Sequence, residues 1–227
     1  MRGSGGPVGK RVAGLALAAA VVWFGGRDYL GFRHFRRYEA ARASARSIES
    51  AFRTLAVEIE AAAGASGKPA YFLAAGRLYL ERALAENEFG SPARRDKFAA
   101  GADALLAEAV RRSPADPDAC YELGKVYMLF NFPLLTYGGK SRSLLRRAVE
   151  LKPADEFLTG NVAYVFLAQW ETLTDGERAF ASEKFRAMAD MPPRELARLK
   201  AMWKKEFGTD ERLKELARAA GVDIGRF

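Results

Sequence analysis

The chain carries one cysteine, Cys120, and one histidine, His34, among its 227 residues. A single thiol excludes an intramolecular disulfide and a thiolate metal cage, and a single imidazole excludes a multi-histidine metal site. Cys120 falls beside Tyr121 in a predicted helix and reads as a small packed hydrophobe rather than half of a Cys–His catalytic pair. Carboxylate pairs are also poorly placed for acid–base work: Glu58 with Glu60, and Glu86 with Glu88, lie two residues apart and face different sides of a helix. "TYGGKSRS", around Lys140, lacks the first glycine of a phosphate-cradling loop and follows no strand, so it predicts a turn with Ser141 as a helix cap. These absences point away from an enzyme, from a bound metal and from a cofactor.

A long uncharged apolar run is missing too. Val12–Gly26 holds fifteen residues without a charge. At ~1.5 Å per residue that is roughly 22 Å of helix, short of a bilayer hydrocarbon core of about 30 Å. Continuing the helix to Phe32 closes the gap if Arg27 extends its guanidinium to the headgroups beside Asp28, with Trp23 and Tyr29 at the interface. The reading is a transmembrane signal-anchor helix over 12–32, behind a basic tail at 1–11, its apolar contacts made by Val12, Leu15, Leu17, Val21, Val22, Trp23 and Phe24. Two alternatives stand beside it, a cleaved signal peptide and a helix buried in a soluble core. The large side chains at 21–24 disfavour cleavage there.

The charge distribution agrees with this placement. Residues 1–50 hold nine Lys/Arg against three Asp/Glu, while residues 51–227 hold twenty-seven against twenty-five. The basic surplus therefore sits around the apolar segment rather than on the body, which argues against nucleic acid. Residues 33–64 are Ala-, Arg- and Glu-rich, with Phe35, Tyr38, Ile48, Phe52, Leu55 and Ile59 in helical register, and predict one connecting helix. The basic residues near the apolar segment suit anionic headgroups.

The body repeats itself. Pro114, Pro153 and Pro192 stand thirty-nine residues apart, and so do Ala109, Ala148 and Ala187; Gly124 matches Ala163 and Tyr127 matches Phe166 at the same interval. Each proline closes a helix, because it disfavours helical geometry in the residue before it. Asp116 with Pro117, and Asp155, are placed to cap the helices that follow. Thr174 and Glu177 have capping-box spacing. The predicted unit is a pair of antiparallel helices that needs a neighbour to cover its apolar face.

"YELGKVY" and "RRAVELKP" supply a Leu-Gly pair with an aromatic on the first helix, then a close-packing alanine and a terminal proline on the second. In these residues the chain resembles the tetratricopeptide repeat family. The upstream unit matches through Gly76, Tyr79, Ala109 and Pro114; the downstream one is degenerate, with Ala163 in place of the glycine. The resemblance covers about 69–192, in units near 69–114, 117–153 and 155–192, each longer than the usual ~34 residues. It implies an all-α solenoid closed by capping helices over 193–227.

The resemblance further implies a concave groove for a protein or peptide, lined by Leu73, Arg77, Leu80 and Glu81, then Tyr121, Lys125 and Met128, then Tyr164 and Leu167. An aromatic insert holding Phe130, Phe132 and Tyr137 is a second contact region. The functional expectation is a non-catalytic, membrane-anchored scaffold for a protein partner, with its repeats on the exported side of a bacterial inner membrane. The alternatives are an accessory of envelope assembly that contacts lipid or glycan, and a soluble or secreted adaptor if the first segment is removed.

Overall fold

A computed structural model describes residues 7–130 and 138–189, with isolated positions beyond. All regular structure in these residues is helical. The first compact unit runs to Gly138. It contains α1 (Pro7–Ser44), α2 (Ile48–Ser66), α3 (Pro69–Phe89), α4 (Pro92–Arg112) and α5 (Pro117–Phe130), each packed on the next, with α3 also touching α5. The second unit holds α6 (Gly138–Leu151), α7 (Glu156–Ala168), a 3₁₀ turn at Trp170–Thr172 and α8 (Asp175–Ala189).

Local chemistry sets these boundaries. Proline opens α3, α4 and α5, where its missing N–H costs nothing because that amide has no partner within the helix. Asp116 Oδ1 accepts from the amides of Asp118 (2.9 Å) and Ala119 (3.2 Å), and Asp155 Oδ1 accepts from Leu158 at 2.9 Å. The Thr174–Glu177 box closes from both sides, at 2.9 and 3.3 Å. The thirty-nine-residue period survives in the elements themselves. Helices α5 and α7 begin at Pro117 and Glu156, and α4 and α6 end at Arg112 and Leu151. Consecutive helices in contact, recurring in step, are consistent with a helical repeat fold.

The small residues lie where helices approach. A Cβ on Gly76 would collide with the side chain of Leu106, and one on Gly101 with the ring of Tyr79. Gly124, Ala109, Ala148 and Ala163 are buried. So are Leu123, Leu145 and Phe166. Phe166 packs on Phe180 at 5.3 Å between centroids. Arg142 of α6 bonds Glu177 of α8 at 2.7 Å.

Four expectations differ from the structure. Residues 33–64 are not one connecting helix: α1 ends at Ser44 and α2 starts at Ile48. Ser47 turns to extended backbone and accepts from Ser50 N at 3.2 Å, so a serine cap breaks the run. The apolar residues read as one stripe consequently face one another across a hairpin. Tyr38 of α1 meets Leu55 and Ile59 of α2, with Phe35, Ile48 and Phe52 packed around them.

Secondly, no helix among the described residues is long and apolar enough to cross a membrane. The extension to Phe32 fails because Gly31 is buried against α2, where a Cβ would strike Ser66. Thirdly, Val12–Gly26 is not a core helix, since its large side chains are exposed. Fourthly, Ser141 is no cap: α6 starts at Gly138 and Ser141 is buried inside it. Phe132 and Tyr137, Pro192 and the expected capping helices over 193–227 lie outside the continuously described residues.

Candidate functional site

The amino-terminal part of α1 stands clear of the body. Val12, Leu15, Leu17, Val21, Val22, Trp23 and Phe24 are each 61–75% exposed. At 100° per residue these seven distribute around the whole helix, so the segment has no polar face to turn to water. Burying one such side chain is worth about 1.5–3 kcal/mol, so covering seven is worth on the order of 10 kcal/mol or more. A contiguous apolar surface of this kind marks an interaction site rather than ordinary surface scatter.

The segment ends at a constructed seat. Arg27 donates from Nε to the Ala65 carbonyl at 2.8 Å and from Nη2 to the Gly64 carbonyl at 3.3 Å, consuming acceptors that the end of α2 leaves unpaired. Asp28 accepts from the Ser66 hydroxyl at 3.0 Å and pairs with Lys68 at 3.3 Å. One turn on, Gly31 lets the two helices touch. His34 then pairs with Glu58 at 2.7 Å, and Phe35 stacks on Tyr71 at 4.8 Å. Arg42 completes the run with both oxygens of Glu81 on α3, at 2.7 and 3.0 Å. Arg27 is therefore a bracket to the body, its Nε and Nη2 spent on the end of α2 rather than extended away from it as the sequence suggests.

The α2 terminus that receives Arg27 also receives Arg112. Gly67 holds a left-handed conformation (φ 72°) and its amide closes on the Ala63 carbonyl. The Gly67 carbonyl accepts from Arg112 Nη1 at 2.8 Å, while the same guanidinium lies 4.8 Å over the Phe72 ring. Arg111 and Arg112 both bond Glu108 at 2.6 Å, and together hold its carboxyl down to about 2. Between Phe24, Arg27, Gly64, Phe72 and Arg112 lies a cavity of about 450 Å³.

No family model, curated protein or solved structure matches this chain.

Only part of the expected groove assembles. Arg77 of α3 bonds Asp118 (3.0 Å) and Glu122 (3.1 Å) of α5, Lys125 bonds Glu122 at 2.8 Å, and the Lys125 ammonium lies 5.2 Å over the Tyr121 ring. Burial alone would lower the pKa of Arg77, but these two carboxylates outweigh it and hold the guanidinium above its ordinary value. Met128 and Tyr164 are half-buried, and Phe130 likewise. Leu73, Leu80 and Leu167 are core residues, closed to a partner. Glu81 is engaged by Arg42. Among the described residues no three His, Cys, Asp or Glu side chains gather as a metal site.

Sequence reasoning found the seven apolar residues and missed the seat. The available signal was "SGKP" at 66–69, a helix stop followed at once by a helix start. What pairs with that stop is thirty-eight residues away in the chain.

Proposed function

We propose that this protein is a membrane-attached helical scaffold. The apolar part of α1 inserts into a bilayer, and the body, a helical repeat related in design to the tetratricopeptide family, stands at its surface to bind another protein. The observation that carries this reading is the ring of seven exposed apolar side chains ending at Gly26. The all-round apolarity suits an inserted helix better than one lying flat, which would keep a polar face. With Arg27 and Asp28 tied to α2, the body acts as a depth stop. The polar face made by Arg77, Tyr121 and Lys125, over the buried Glu122 that holds the two cations, is the surface offered to a partner, and its role is binding rather than catalysis.

Vesicle flotation tests the insertion. The full chain is expected to rise with neutral phosphatidylcholine vesicles in high salt, and Leu15→Asp/Val22→Asp to stay at the bottom while its circular dichroism melt is unchanged. A wild-type chain that stays at the bottom overturns the proposal.

A further inference from the structure

The cavity beside the seat of α1 does more than the fold requires of it. Its lining changes character from one side to the other: Phe24 belongs to the exposed apolar segment, Phe72 lies within the body, and the guanidiniums of Arg27 and Arg112 stand among them. Both cations are mounted rather than loose. Arg27 uses Nε and Nη2 on backbone carbonyls; Arg112 uses Nε on Glu108 and Nη1 on the Gly67 carbonyl. Each is left with one terminal amino group, Nη1 of Arg27 and Nη2 of Arg112, that bonds to nothing among the described residues. Two planar donors fixed in advance suit the oxygens of a phosphate, and little side-chain freedom remains to be lost on binding.

Opposing charges are present and accounted for. The Asp28 carboxylate lines the cavity but is engaged by Ser66 and Lys68. Glu108 is shared between Arg111 and Arg112. Arg27, Lys68, Arg111 and Arg112 against Asp28 and Glu108 leave two positive charges in excess at this end of the helices. The carbonyl end of α2 would by itself repel an anion. Here its carbonyls are capped by the arginines and serve to orient them.

We propose that this cavity binds the phosphodiester headgroup of an anionic phospholipid from the leaflet that α1 enters. The proposal rests on the insertion reading, which puts Gly26 at the edge of the acyl region. The cavity is lined by Phe24 and by the residues immediately after Gly26, which is headgroup depth. The lipid's phosphate meets Arg27 and Arg112, and its glycerol and first methylenes meet Phe24 and Phe72.

Gly64 provides a clean probe. It lines the cavity, and a Cβ built on it meets nothing within 4 Å. A side chain can therefore begin at position 64 with no clash at its Cβ, and Gly64→Glu brings a carboxylate to the cavity's lining. The full chain in neutral maltoside micelles would be titrated with short-chain phosphatidylglycerol and with diacylglycerol of the same chains. Wild type is expected to prefer phosphatidylglycerol by about tenfold or more. Gly64→Glu, and separately Arg112→Gln, are expected to lose that preference while still floating on neutral vesicles. Phosphatidylglycerol binding unchanged in Gly64→Glu overturns the proposal, and so does its displacement by an equal concentration of inorganic phosphate. A wild-type chain that does not float on neutral vesicles overturns the insertion reading, and this site with it. One that floats but shows no headgroup preference overturns the site alone.

Discussion

Arg82 illustrates how this protein tolerates charge in its interior. The guanidinium is nearly buried, 2.5 Å from Glu86 one turn below and 3.2 Å from Glu49 of α2, and it faces the Phe98 ring at 5.6 Å. Glu86 is buried as well, and its other oxygen accepts from Ser91 N at the start of α4. Removing the cation strands a carboxylate that cannot reach water. Arg82→Met should therefore cost about 3–5 kcal/mol in urea denaturation, and Arg82→Met/Glu86→Leu should recover most of it. Tyr79 carries a second buried-polar signature. Burial, reinforced by the neighbouring Glu60 that accepts its hydroxyl, pushes its pKa up to about 12. Because the unfolded phenol ionises near 10, the contribution is complete below pH 10 and is lost as pH rises toward 12. Ultraviolet titration of the tyrosines should show one late-ionising group, absent in Tyr79→Phe, whose melting temperature should fall less between pH 10 and 12.

Helix contacts are set by which positions lack a side chain. Gly76 is closed by Leu106, whereas Gly64 faces open space on a neighbouring helix. Gly76→Ala should accordingly destabilise by about 1–3 kcal/mol through overpacking. Gly64→Ala should gain up to about 1 kcal/mol from helix propensity. Urea midpoints of the two variants against wild type separate the effects, and Leu106→Ala should relieve the first. The α3–α4 hairpin that Gly76 closes was legible in sequence because its signals are plain there: a proline at the helix ends and a period of thirty-nine. The α1–α2 hairpin was not. Its turn depends on Ser47 in a stretch that is otherwise favourable to helix, and neither proline nor glycine marks it. The Ser47 cap and the burial of Tyr38 in one cluster with Leu55 and Ile59 together reverse the chain there.

For the whole molecule, what counts is which residues the core needs. None of the large apolar residues from Val12 to Phe24 belongs to it. Deleting residues 2–26 should leave the melting temperature of the body within about 2 °C of the full chain, since surface residues away from special contacts contribute little, while abolishing flotation. A scanning calorimetry trace of the truncated chain checks the first half. The expected partner groove was less legible than the fold, for a physical reason. Helical periodicity identifies the inner face of a repeat, but whether a residue there is lining or core depends on how closely the next helix packs. Leu73 and Leu80 went to the core, and Arg77 and Lys125 to the surface.

The long α1 makes one mechanical point. Thirty-eight residues form a single helix, roughly 57 Å at ~1.5 Å per residue, whose far half is clamped at Arg27, Gly31, His34 and Arg42. No break in the helix separates its exposed apolar half from the half packed on α2. A pull or twist applied to the clamped half would pass to the free half along the same shaft, and the Gly25–Gly26 pair just before the clamp is the place where such a shaft would bend.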